Sequence, residues 1–195
     1  MGGNTNANAE MGGSSPSGGG RVEVDEASVE RLGNQIKDVM RKAMRDLIDE
    51  EVSKGEYDHV LRLWKEVRER LMRLSQGSKE REKTKAAIDC EYAEELVRGG
   101  ALDNTILADM VQLASRRIGE LGAVAYERQV LNWGVKLADE LRSYTGQGNG
   151  EGEAPRSPAE LLAHFFDECD VLLTRIEAGV AAHLLCQALL SGIRA

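Results

Sequence analysis

The chain has 195 residues, enough for one well-cored domain and a tail. Its net charge of −8 excludes the basic face that nucleic-acid binding requires, and the local basic run from Lys79 to Lys85 is diluted by its own Glu80 and Glu82. No apolar run approaches the roughly 20 residues that cross a bilayer, so no membrane insertion is expected.

Residues 1–24 are Gly, Asn and Ser with few apolar side chains; they cannot bury enough surface to offset the entropy of ordering and are expected to form a disordered tail. A first helix from about Ser28 to Val52 carries Val29, Leu32, Ile36, Val39, Ala43 and Leu47 on one stripe, expected to face a neighbour. Gly55 breaks the chain and folds it back. The second helix, about Tyr57 to Ser75, places Tyr57, Val60, Trp64, Val67, Leu71 and Leu74 on one face in steps of three and four, with Glu66 and Arg70 set for an i,i+4 pair. A third helix is expected from about Thr84 to Arg98, stopped by Gly99-Gly100. Asp103 reads as the N-cap of a fourth helix, with Leu107, Val111, Ala114, Ile118 and Leu121 inward. A fifth, about Ala123 to Tyr144, carries Val130, Trp133, Leu137 and Leu141.

The Gly- and acid-rich stretch at 145–156 reads as a flexible internal loop. Ser157-Pro158-Ala159-Glu160 then combines a capping box with proline in the first helical turn. The sixth helix that follows has a broad apolar set, Leu161, Leu162, Phe165, Phe166, Cys169, Leu172, Leu173 and Ile176, which suggests packing on several sides. Gly179 is expected to weaken or end it, with a further helix over Val180 to Ile193. No alternating strand pattern competes. The expected fold is all-α: an antiparallel helical bundle of about six to seven helices over residues 25–195.

Motifs for chemistry are absent: no phosphate loop, dinucleotide fingerprint or nucleophile elbow occurs. Cys90, Cys169 and Cys186 are odd in number and widely spaced, which argues for reduced thiols and a cytoplasmic setting. His183 and Cys186 sit three apart, with Cys169 on the same predicted stretch, but zinc wants about four ligands in close pairs. Glu160 and His164 are four apart, not the three of a di-iron motif. Asp167, Glu168 and Asp170 form an acidic cluster that helical spacing splits around the surface. No metal, no cofactor and no catalytic residue is therefore expected; a helical enzyme using Cys169, His183 and Cys186 is the minority reading.

Tyr57, Trp64 and Trp133 admit two readings. They are either core anchors between helices or part of a partner-binding groove left open in the bundle, which would also suit a homo-oligomer. Ser15-Pro16 and Ser157-Pro158 fit proline-directed phosphorylation, whereas Arg116-Arg117-Ile118-Gly119 lacks the serine a basophilic kinase site needs.

Three pieces of sequence resemble the T-complex protein 11 family. They are the hairpin from Asp46-Leu47-Ile48-Asp49-Glu50-Glu51 to Glu66-Val67-Arg68-Glu69-Arg70-Leu71, the corner Gly100-Ala101-Leu102-Asp103, and the run Phe166-Asp167-Glu168-Cys169-Asp170-Val171-Leu172. Together they span most of residues 30–185 and are similar to the N-terminal part of the family domain. The resemblance implies a non-enzymatic helical adaptor or regulator that binds another protein, in signal transduction through the cyclic-AMP-dependent kinase pathway. Its alternative is a structural component of a cytoskeletal or flagellar assembly.

Overall fold

The computed structural model describes residues 25–145 and 156–192. The expected tail at 1–24, Ser15-Pro16 and nearly all of the Gly-rich loop lie outside those residues. The chain divides into two units, one ending at Ile36 and one running from Lys37. In the first, the described residues are the opening turns of α1 (Glu26–Ser53), where Asp25 accepts from the Ala27 N–H and Val29, Leu32 and Ile36 are exposed. The remainder holds the rest of α1 and α2 (Asp58–Leu74), α3 (Ser78–Ala87), α4 (Cys90–Arg98), α5 (Asn104–Leu121), α6 (Val124–Ser143) and α7 (Pro158–Gly192). The described residues are helices joined by turns, with no strand.

Local chemistry fixes the corners. α1 ends in a Schellman turn: Gly55 takes φ 74°, its N–H donates to Val52 and that of Glu56 to Glu51. Glu51 then reaches across the turn and accepts the His59 N–H at 2.7 Å, satisfying a free donor of α2 that Tyr57 leaves uncapped. The same motif recurs after α4, where Gly100 takes φ 64° and the Ala101 N–H donates to Leu96. Asp103 caps α5 through the Ile106 N–H. At α7 the capping box forms in both directions, Ser157 N–H to the Glu160 carboxylate at 2.8 Å and Glu160 N–H to the Ser157 hydroxyl at 3.1 Å.

Contacts set the helix directions. Arg142 near the end of α6 bonds Asp109 and Gln112 early in α5, so α5 and α6 are antiparallel. Trp133 meets Phe165 while Tyr126 lies under Arg175, so α6 and α7 are antiparallel as well. α2 runs alongside α7 in the same sense: Trp64 meets Phe165 and Phe166, and further along Arg70 bonds Asp170, Thr174 and Glu177. The core is built from Val60, Trp64, Val67 and Leu71 of α2, Leu107, Val111, Ala114 and Ile118 of α5, Leu137 and Leu141 of α6, and Leu161 to Leu173 of α7.

Four expectations differ from what is observed. The third helix is two helices, broken at Ile88-Asp89, because Asp89 caps α4 by accepting the Tyr92 N–H at 2.9 Å. Gly179 does not interrupt α7, which is continuous to Gly192; one glycine costs a helix only about 1 kcal/mol. The stripe of α1 is not the buried face: in the second unit Val39 and Leu47 are exposed, and Met44, Ile48 and Val52 pack on the core instead. Arg70 does not use Glu66 in its own helix; the α7 acids and Thr174 take all its bonds, holding its charge firmly on.

Candidate partner-binding groove

Gly122 closes α5 by donating to Ile118 and Gly119, and only Gly122 and Ala123 separate α5 from α6. This tight corner leaves a hollow between the end of α5, the start of α6 and the outer half of α7. Ile118, Leu121, Tyr126, Val130, Leu172 and Ile176 line it, and its volume is about 500 Å3, within the range of ligand and side-chain pockets. The polar groups sit at its edge. The Arg175 guanidinium lies 5.4 Å from the centre of the Tyr126 ring, and Gln76, Glu127 and His183 complete the rim.

The groove does not end where the bundle does. α7 continues past it, and every residue from 178 to 191 is exposed, with Val180, Leu184, Leu185, Leu189 and Leu190 its large bare apolar side chains. This stretch contains no Asp, Glu, Lys or Arg. A helix apolar on all sides belongs inside something, and the hollow and the end of α7 form one continuous apolar surface.

The aromatic residues singled out from sequence lie elsewhere. Trp64 is 2% exposed, 5.6 Å from Phe165 and 6.3 Å from Phe166. Trp133 is partly buried and stacks on the other side of Phe165 at 5.8 Å, with an interplanar angle of 4°. Phe165 thus bridges the two tryptophans inside the core. Both indole N–H groups are buried without an acceptor, a cost of about 1–3 kcal/mol each that ring packing offsets. Tyr57 is half-buried at the start of α2, its hydroxyl pKa raised first by burial and then by Asp103. The three do not converge on one surface.

Nor do the other candidates assemble. Cys169 is wholly buried, and burial raises its thiol pKa well above the usual value. His183 and Cys186 are exposed on the same helix, roughly 20 Å further along by the rise of 1.5 Å per residue. Burial likewise pushes the Cys90 thiol up to about 11, against thiolate chemistry. The acidic cluster is spent on structure: Asp167 pairs with Arg41 and Asp170 with Arg70. Among the described residues no group of three His, Cys, Asp or Glu side chains is placed to hold a metal ion, and no helix is long and apolar enough to cross a membrane.

Sequence reasoning passed over one buried hub. Arg117, 2% exposed, bonds the Thr84 hydroxyl, the Glu80 main-chain carbonyl and carboxylate, and Glu120. Its side chain ties α3 to α5, and only a basic residue inside the apolar face of α5 hinted at it.

Residues 23–114 match the sequence profile of T-complex protein 11. The Asp46–Leu71 hairpin and the Gly100–Asp103 corner fall inside that match, and the Phe166–Leu172 run lies beyond it. No curated protein and no solved structure matches the chain. The similarity to the T-complex protein 11 family thus covers residues 23–114, from just ahead of α1 into α5.

Proposed function

We propose that the protein is a non-enzymatic helical adaptor that binds another protein in the groove between the α5–α6 corner and α7. One observation carries this: an apolar hollow of about 500 Å3 runs directly onto the bare end of α7. Such a surface suits an amphipathic helix whose anchors at i, i+3 and i+4 would enter the hollow from above. Arg175 and Glu127 at the rim would fix orientation, since charges at the edge steer a partner more than they hold it. The resemblance to the T-complex protein 11 family supports a partner in signalling through the cyclic-AMP-dependent kinase pathway.

The test uses the exposed groove residue Val180. Affinity purification of the intact chain from its source cells should recover kinase-pathway subunits, and Val180→Glu should lose them while keeping its helix content. Recovery of tubulin or axonemal proteins instead would move the reading to cytoskeletal assembly. Retention of every partner by the variant would remove the groove from the mechanism.

A further inference from the structure

α7 has a second bare face, turned away from the groove. At 100° per residue, Leu172, Ile176, Val180 and Leu184 share the groove side. Ala178, Ala182, Leu185 and Leu189 share the opposite side in steps of four, three and four, the spacing of a coiled-coil seam. All four are exposed, Leu185 at 66% and Leu189 at 68%. The flanking residues Gly179, Ala181 and Ala188 are small, so a second helix can approach to about 8 Å.

From this pattern we infer that the outer face of α7 is the seam of an antiparallel dimer of this chain. The register follows from size. With a twofold axis between His183 and Leu184, Ala178 faces Leu189 of the second copy and Ala182 faces its Leu185. Each large side chain then meets a small one in every layer, and the arrangement is self-complementary as a twofold interface must be. Parallel pairing in register sets leucine on leucine and alanine on alanine, which leaves the layers uneven and brings the two bundles to the same end.

Charge favours the same occupant. Each copy carries a net charge of −8, so two copies repel wherever their bundles approach. Residues 178–191 hold none of that charge, and antiparallel pairing keeps the bundles at opposite ends of the contact. Two helices paired over about four turns bury on the order of 1,000 Å2, the lower limit of a specific interface. An interface at that limit is weak, so the dimer is concentration-dependent.

This inference goes beyond the groove reading and stands apart from it, because the two faces are opposite. Sedimentation equilibrium of the full chain between about 1 and 100 µM should show monomer passing to dimer. Leu185→Glu and Leu189→Glu, at positions already exposed, should keep the helix content and raise the dissociation constant at least tenfold, while Val180→Glu in the groove leaves it unchanged. On a Cys186→Ser background, copies with Ala182→Cys mixed with copies with Leu185→Cys should oxidise mainly to the mixed disulfide. A chain monomeric at the highest concentration overturns the proposal, as does a dimer indifferent to both glutamates or a preference for like-with-like disulfides. A monomer that loses a co-purifying protein on Leu185→Glu hands the face to a different partner and overturns it too.

Discussion

Removing Arg117 tests whether one buried guanidinium holds α3 in place. α3 is polar along its length and buries only Thr84, so Arg117 is its deep anchor. In Arg117→Ala the Ser75 and Thr84 hydroxyls remain 2.7 Å apart, each still bonded to a carbonyl of its own helix, so no neutral donor is stranded. The Glu80 and Glu120 carboxylates are 33% and 41% exposed and return to water. The loss therefore stays at the low end of the 3–5 kcal/mol of a stranded buried charge. Two charge-assisted bonds to Thr84 and the Glu80 carbonyl, at about 1 kcal/mol each, plus about 1 kcal/mol of lost stem packing, give about 3 kcal/mol. For a domain of this size that lowers the melting temperature by about 6–12 °C. Urea unfolding should show a lower midpoint with an unchanged slope, and amide exchange should accelerate first across residues 78–87. Arg117→Met keeps the stem without the fork and should recover only the packing share, about 1 kcal/mol. Wild-type stability in the alanine variant, or full recovery in the methionine variant, would refute the hydrogen-bonding account.

Gly134 marks the closest approach of α5 and α6, where an added Cβ would lie 2.3 Å from the Ser115 Cβ. Gly134→Ala should cost about 1–3 kcal/mol net in chemical denaturation despite alanine's better helix propensity, and a stabilised variant would contradict that packing. The Arg70 bond is the largest influence holding the Glu177 carboxyl below its usual range, against a smaller opposing effect of burial. A depressed carboxylate stabilises the fold above its unfolded pKa and loses that contribution as pH falls through the folded value. Glu177→Gln should accordingly flatten the acid side of a stability-versus-pH curve below about pH 4 without changing its shape near neutrality. Iodoacetamide on the native chain should label Cys186 rapidly and reach buried Cys90 and Cys169 only on unfolding, which peptide mass mapping reads directly.

Much of the fold was legible because its signals are local. Gly55, Gly100, Asp103 and the Ser157–Glu160 box each act within a few residues, and each forms as their chemistry dictates. The α2 and α5 stripes were legible because three-and-four spacing leaves a single buried face. Asp89 was harder: its cap interrupts a run with no glycine or proline, so periodicity alone carries across the break. The α1 stripe misled because periodicity identifies an apolar face but not whether a neighbour covers it. For the same reason, Trp64 and Trp133 drew attention by size, while the groove came from side chains that are unremarkable in sequence. Tyr126 and Ile176 are 50 residues apart, and only the α5–α6 corner brings them together.

The outer part of α7 links binding to folding. The fourteen exposed residues 178–191 form a stretch of helix that is marginal in water by itself, because nucleation is costly and propagation adds little per residue. This stretch is helical as an extension of the packed turns before it, which carry Phe165, Cys169 and Leu173 into the core. Its opening free energy in a lone copy is therefore close to zero, whereas the turns from Pro158 to Ile176 open only with the bundle. Any occupant of either face binds the helical form alone and must lower the population of the frayed one. Amide exchange at residues 180–190 should then be fast at low micromolar concentration and slow by roughly the ratio of free dimer-forming sites to the dissociation constant. It should stay fast at all concentrations in Leu185→Glu. Gly179, whose Cβ position is open, gives the converse control: Gly179→Ala should stabilise the isolated helix by about 1 kcal/mol and slow exchange without any partner. Uniform protection along α7 in a dilute monomer would show that the bare turns stand alone, and would break the coupling.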